Sequence, residues 1–267
     1  MAISRKRAKP HNPQCQKALL NPRLGLGFSL ISILFLAASL VMLWFVILSG
    51  LTQKTPLSET YFLRANTSNI TGARPITQWT YFFICALDNN DCGHATPALP
   101  IGYAWNGEPE NAPAELVGGF GGDTTSFMYW YLWRFGSVFY LIALFFMVAA
   151  FFSSFLACCG RLGSALTGLI AAVALLFNTV AVCLMTATFV KMRNAFQADG
   201  RSASLGAYAF GFAWGSWATL LISTILFCLG RRGNKNDTST GRSWGRRRKS
   251  THNRSSYDGR RVKEEYP

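Results

Sequence analysis

The sequence predicts an all-α membrane fold: a bundle of four transmembrane helices with a large extracellular loop that carries a small disulfide-closed β element. Three observations predict it. Four windows, residues 24–48, 136–159, 166–189 and 205–229, together hold 98 residues without one Asp, Glu, Lys, Arg or His. Lys and Arg are shared unequally among the segments that separate these windows. Of seven cysteines, only Cys85 and Cys92 fall in the long loop. A helix rising 1.5 Å per residue needs about 20 residues to cross a hydrocarbon layer of about 30 Å. Each window has 24 or 25. The mean hydropathy of +0.20 conceals the pattern, because a polar loop and two charged tails dilute the apolar blocks. A soluble enzyme built on one core is excluded.

Residues 1–23 form a basic arm with six Lys/Arg and no acid. The first span, 24–48, is far longer than the roughly 7–15 residues of a signal-peptide core, and Leu48-Ser49-Gly50 offers no Ala-x-Ala site, so it reads as an uncleaved helix. The loop 49–135 has four basic and seven acidic residues. The second span, 136–159, joins the third, 166–189, through a short turn, 160–165, whose one charge is Arg161. A second outer connection, 190–204, leads to the fourth span, 205–229, and to a tail, 230–267, with twelve basic and four acidic residues. Arm, turn and tail collect 19 Lys/Arg, and the two loops collect seven. The positive-inside rule then places both termini in the cytoplasm. The 87-residue loop is too long to weigh in that rule, so the placement rests on the arm and the tail.

Disulfides persist on the oxidising side of a membrane, so Cys85 and Cys92 are expected to pair, with two free thiols as the alternative. Cys158, Cys159, Cys183 and Cys228 lie in or at the ends of spans, where cysteine behaves as a small apolar residue. Asp88, Asn89, Asn90 and Asp91 favour a turn between the paired cysteines. The run Trp79-Thr80-Tyr81-Phe82-Phe83-Ile84 has the aromatic and β-branched content of a strand. Asn66 and Asn69 begin Asn-x-Ser/Thr sequons in this loop and are glycosylation candidates. Those at Asn236 and Asn253, in the cytoplasmic tail, should stay silent. Gly118-Gly119-Phe120-Gly121-Gly122 lacks the Lys-Ser/Thr of a phosphate loop and reads as a flexible approach to the second span. Tyr129, Trp130, Tyr131 and Trp133 follow it as an interfacial anchor.

No ionisable residue enters the spans, which argues against a pump, a proton-coupled transporter or an ion channel. Asn178, Thr179, Thr186 and Thr188 read as packing groups that bond across helices or back to their own carbonyls. Small residues recur at intervals of four: Ser164, Gly168 and Ala172 in the third span, then Ala203, Ala207, Gly211 and Gly215 into the fourth. Such faces admit close helix approach. His11, His94 and His252 have no metal-ligand spacing, and no nucleophile, zinc or nucleotide motif is present, so the sequence predicts no enzyme, no metal and no cofactor. Arg231, Arg232, Arg246, Arg247, Arg248 and Lys249 sit just beyond the last span. Each contributes on the order of 1 kcal/mol near an anionic membrane surface, which favours inner-leaflet lipid over nucleic acid as their partner. Trp244 fits the headgroup level there. Ser250 follows a basic run that suits a kinase, and a phosphate would weaken the attraction. The alternative is that these arginines only fix topology.

Taken together, Ser49-Gly50, Asn66-Thr67, Trp79-Thr80 with Cys85 and Cys92, and the segment Asn194-Ala195-Phe196, Asp199, Arg201-Ser202-Ala203, Leu205-Gly206-Ala207 and Ala213-Trp214 resemble the fungal SUR-seven/PalI family of plasma-membrane tetraspans. The likeness runs from about residue 24 to residue 229 and leaves out both tails. The family is similar to claudins, but Phe82 stands where claudins carry a tryptophan, with Trp79 three residues earlier, so claudin-type adhesion is not carried over. The resemblance implies a component of eisosome-associated membrane patches that bears on sphingolipid balance, endocytosis and cell-wall integrity. It implies Trp79 as a packing centre of the outer domain and Asp199 with Arg201 as an ion pair. The partners expected are membrane lipids, including sphingolipid or sterol, eisosome scaffold proteins and further copies of the chain. Alternatives are a PalI-like helper in ambient-pH signalling and a facilitative channel.

Overall fold

The structure, a computed structural model, describes residues 21–52, 54–105, 107, 109–157 and 161–233. Residues 1–20 of the basic arm, Arg246, Arg247, Arg248, Lys249 and Ser250 lie outside the described residues, as do the side chains of Ser164, Arg231 and Arg232; the last three residues of the arm already belong to the first helix. Among the described residues, four helices are long and apolar enough to cross a membrane: α1 (Asn21–Ile47), α2 (Phe127–Ala157), α3 (Arg161–Ala198) and α4 (Ala207–Gly233). Four short strands, β1 (Leu63–Asn66), β2 (Ile76–Trp79), β3 (Ile84–Cys85) and β4 (Ala203–Leu205), make one antiparallel sheet in the order β3-β2-β1-β4. Because β4 comes from the connection between α3 and α4, the sheet puts that connection and the long loop on the same end of the bundle. We call that end the cap side.

α1 stops where Gly50 takes φ +82°, a left-handed conformation that glycine adopts without strain. A side chain there would also stand 2.8 Å from Thr80 Oγ1. Ser49 completes the joint: its hydroxyl donates to Val46 O and accepts the Tyr81 amide. α3, with 38 residues, is about 57 Å long and outruns any bilayer. Its last turns stay helical because Met192, Ala195 and Phe196, spaced for one face, are buried. The connection expected over 190–204 is therefore helix as far as Ala198. The aromatic run 79–84 also departs from expectation. Only its ends are strand, and residues 80–83 are a tight turn in which the Thr80 amide donates to Phe83 O. The turn lets Tyr81 leave the sheet and reach the helices, where its hydroxyl donates to Ser137 O. The glycine segment 118–122 is a folded turn rather than a flexible approach. Gly121 and Gly122 take positive φ, and the Thr124 and Thr125 amides both donate to Phe120 O.

α1 packs against α4, α2 against α3, and α3 against α4. The α1–α4 seam is a serine ladder. Ser39 Oγ donates to Ser216 O at 2.8 Å, Ser216 Oγ donates to Ser39 O at 3.0 Å, and Ser223 Oγ donates to Ser32 O at 2.8 Å. Both members of each helix's pair are seven residues apart, the repeat that keeps a seam facing its partner. In lipid no hydrophobic force joins helices, so small residues and such bonds carry the contact.

The expected small-residue faces are corrected by this seam. α4 buries Ala209, Ala213, Ser216, Leu220 and Ser223, alternating steps of four and three. Steps of four alone drift by about 40° each from a fixed face. Ala207 and Gly211 accordingly turn outward, and a side chain at Gly211 would meet nothing within 4 Å. Gly215 does pack, since a side chain there would stand 2.9 Å from Met42 Sδ. On α3, Gly168 is buried near Phe227, whereas Ala172 is exposed. The buried α3 stripe is Thr167, Ala171, Ala174, Asn178, Ala181 and Met185. Thr186 and Thr188 bond back to Val182 O and Leu184 O, and Thr179 Oγ1 accepts from Trp217 Nε1 at 2.9 Å.

Candidate functional site

The cap holds most of the residues singled out above. Cys85 and Cys92 are joined in a disulfide. The loop it closes turns through Asp88, Asn89 and Asp91, all at positive φ, which Asn and Asp tolerate better than most residues. Asn89 anchors it. Its amide donates to Gln78 Oε1 at 2.8 Å, and its buried side chain donates to Leu57 O and Thr60 O. Both aspartates face arginines of the sheet side, Asp88 with Arg64 at 3.3 Å and Asp91 with Arg74 at 3.0 Å. The aspartates are largely exposed, so each pair is worth at most about 1 kcal/mol.

Trp79 is buried, and its indole N–H donates to Ile101 O at 3.1 Å. Its ring lies 5.8 Å from that of Phe196, which also meets Trp105 at 6.5 Å. The extra turns of α3 thus insert Phe196 between two tryptophans of the long loop. Below them Phe62, Trp133, Phe189 and Phe210 form a second aromatic layer, with Phe62 stacked on Phe189 at 4.8 Å and Trp133 edge-on to Phe189 at 4.9 Å. Phe82 is half-buried, edge-on to Tyr81 at 4.6 Å. Burial pushes the Tyr81 phenol well above its usual ionisation range, so it remains a neutral donor.

Arg201 ties the two loops together. Its Nε contacts Asp199 Oδ2 at 2.8 Å, Nη1 donates to Ser68 O at 2.6 Å and Nη2 to Asn111 O at 2.6 Å. Its side chain is 16% exposed, and that of Asp199 is 41% exposed. The backbone adds to the link: β4 pairs with β1 in the register Leu63↔Leu205, Arg64↔Ser204 and Ala65↔Ala203, and the Asn66 amide donates to Ser202 O. Asn194 is exposed and accepts from Arg193, outside this cluster. Asn66 and Asn69 are both exposed on the cap; Asn66 Oδ1 accepts the Ser68 amide. A shallow groove of about 200 Å³ on the sheet is lined by Arg64, Asn66, Ser202 and Ser204 among others. Among the described residues, no three His, Cys, Asp or Glu side chains stand close enough to hold a metal ion.

Sequence reasoning placed Asn89 in the turn but missed its anchoring bonds, and it missed Phe62, Phe189, Phe210 and the four serines. The serines had a readable signal, paired seven-residue intervals in two spans. The aromatic layer did not, because its members come from four separate segments.

Four apolar helices under a disulfide-closed β cap define a membrane protein of the four-span, large-loop class. The chain belongs to the SUR7/PalI family, whose model matches residues 28–226. It is 35% identical over 211 residues to Protein SUR7 of Candida albicans, covering 78% of this chain and 75% of that protein. It is 33% identical over 202 residues to Protein SUR7 of Saccharomyces cerevisiae, covering 74% of this chain and 65% of the yeast protein. A further yeast relative, 27% identical over 202 residues, covers 73% of this chain and 65% of its own length and carries the description "Uncharacterized plasma membrane protein YNL194C".

Proposed function

We propose that the chain is a non-enzymatic organiser of lateral domains in the fungal plasma membrane, of the eisosome-associated kind, with both termini cytoplasmic and the cap outside. In this reading it bears on sphingolipid balance, endocytosis and cell-wall integrity by holding lipids and scaffold proteins in place. The observation that carries the reading is the family match, which spans all four helices and the cap together. The relative described as a plasma membrane protein supports the location. A bundle held by serines and small residues, with no ionisable side chain in the four apolar windows, supports a packing role over transport. The basic tail supplies the contact with anionic inner-leaflet lipid.

A fluorescent protein fused to the C-terminus tests the proposal in living cells. Immobile cortical patches that coincide with eisosome scaffolds are the expected result; diffuse fluorescence overturns it. Diffuse fluorescence with a lost response to alkaline medium would favour the PalI-like reading. Flux across liposomes holding the pure protein would favour a channel. Glycan mapping tests the orientation: modification at Asn66 or Asn69 is compatible with it, and modification at Asn236 or Asn253 reverses it.

A further inference from the structure

Arg134 differs from the other arginines described on the cap side. Arg64, Arg74 and Arg201 each face a carboxylate, and Arg193 donates to the Asn194 side chain. Among the described residues, the Arg134 guanidinium makes no hydrogen bond and no ion pair. It lies instead over the ring of Trp130, 4.2 Å from the centroid. The glycine turn packs against Trp130, since a side chain at Gly121 would come within 2.9 Å of its ring. Arg134 itself is exposed, beside the exposed Phe135 and Val138 of α2.

The depth of Arg134 follows from the length of α2. The apolar stretch Phe127–Phe155 has 29 residues, about 43 Å, which exceeds the hydrocarbon layer by about 13 Å. The far end of α2, around Phe151, Phe152 and Phe155, carries no charge and no Tyr or Trp, and its Ser153 and Ser154 hydroxyls donate back to Ala149 O and Phe151 O, while the cap end carries Tyr129, Trp130, Tyr131 and Trp133. Aromatic residues of this kind sit at headgroup level. The excess length therefore belongs to the cap end, and Arg134, in its second turn, stands at the boundary where lipid phosphates lie.

With its carbon over the ring and no hydrogen bond among the described residues, the Arg134 guanidinium keeps its N–H donors available, and they form a planar fork that matches two phosphate oxygens. Lys191, near the cap end of α3, brings a second exposed cation without a carboxylate beside it, its Nζ 3.5 Å from Met128 Sδ. Two exposed cations at this end of the bundle, neither in an ion pair among the described residues, favour a headgroup with a net negative charge over a zwitterionic one. We propose that Arg134, held on Trp130, binds the phosphate of an anionic phospholipid in the cap-side leaflet. The site is separate from the basic tail and does not depend on the domain-organising role.

The test uses the full chain in detergent, with Arg231, Arg232, Arg246, Arg247, Arg248 and Lys249 all changed to Gln so that lipid held by these residues does not obscure the result. Native mass spectrometry measures how much phosphatidylinositol and phosphatidylcholine the protein retains. Arg134→Gln should lower phosphatidylinositol retention about fivefold and leave phosphatidylcholine unchanged, with Arg134→Lys in between. Thermal unfolding should match that of the parent. Phosphatidylinositol retention in Arg134→Gln within a factor of about two of the parent would overturn the proposal, as would equal loss of both lipids. Free myo-inositol phosphate should fail to displace the bound lipid; efficient displacement would also refute a lipid site.

Discussion

Replacement of Arg201 by Ala tests how the cap is held. The substitution deletes the donors to Ser68 O and Asn111 O and the contact with Asp199. A hydrogen bond from a charged donor contributes about 1.5–3 kcal/mol when both groups are shielded. The bond to Ser68 is the shielded one, so it should keep most of that value, whereas water can replace the bond to Asn111 at the surface. The ion pair adds at most about 1 kcal/mol, because Asp199 is 41% exposed. The net loss should be about 2–3 kcal/mol, or about 30- to 150-fold in the opening equilibrium of the β1–β4 junction. Hydrogen exchange in nanodiscs reads this directly at the Asn66 amide, bonded to Ser202 O, and the Gly206 amide, bonded to Phe62 O. Asp199→Asn should accelerate the same amides by less than about fivefold. Acceleration of less than about fivefold in Arg201→Ala, or an equal effect of Asp199→Asn, would show that the bonds to the two carbonyls do not hold the junction.

Three more outcomes follow from the packing. Gly215→Val should lower the thermal midpoint through its clash with Met42, at a cost of about 1–3 kcal/mol, while Gly211→Val should fall well short of that; equal effects would contradict the assigned α4 face. Cys85→Ser opens a loop of seven-residue separation and should destabilise the cap by about 2–2.5 kcal/mol on the chain-entropy model, read as faster proteolysis of the long loop. Tyr81 is raised in the folded cap, so its contribution is complete below the unfolded value near pH 10 and fades as pH climbs toward the folded value. The extra loss of stability above about pH 10 should therefore shrink in Tyr81→Phe, and an unchanged pH profile in unfolding experiments would exclude it.

The spans were legible because hydrocarbon forbids ions over about 20 residues, a constraint that one sequence displays without context. The disulfide was legible because Cys85 and Cys92 alone share a loop. A small β element beside the disulfide was legible too, but the pairing of β1 with β4 was not, because α2 and α3 separate the two strands and neither exceeds four residues. The aromatic run at 79–84 misled for a related reason: its rings serve the helix boundary, and the backbone turns to deliver them. The small residues misled through period, since a ridge of fours was read where the seam follows alternating fours and threes.

The β1–β4 pairing also orders events in time. During synthesis the long loop emerges first, yet the strand that covers one edge of β1 arrives only after α2 and α3 have been made. Until residue 205 appears, β1 presents unpaired amides and carbonyls to whatever lies nearby. The second hairpin of helices thus acts as a latch for the first, and a nascent chain interrupted before Ala203 would expose a sticky, unfinished surface for quality control to recognise.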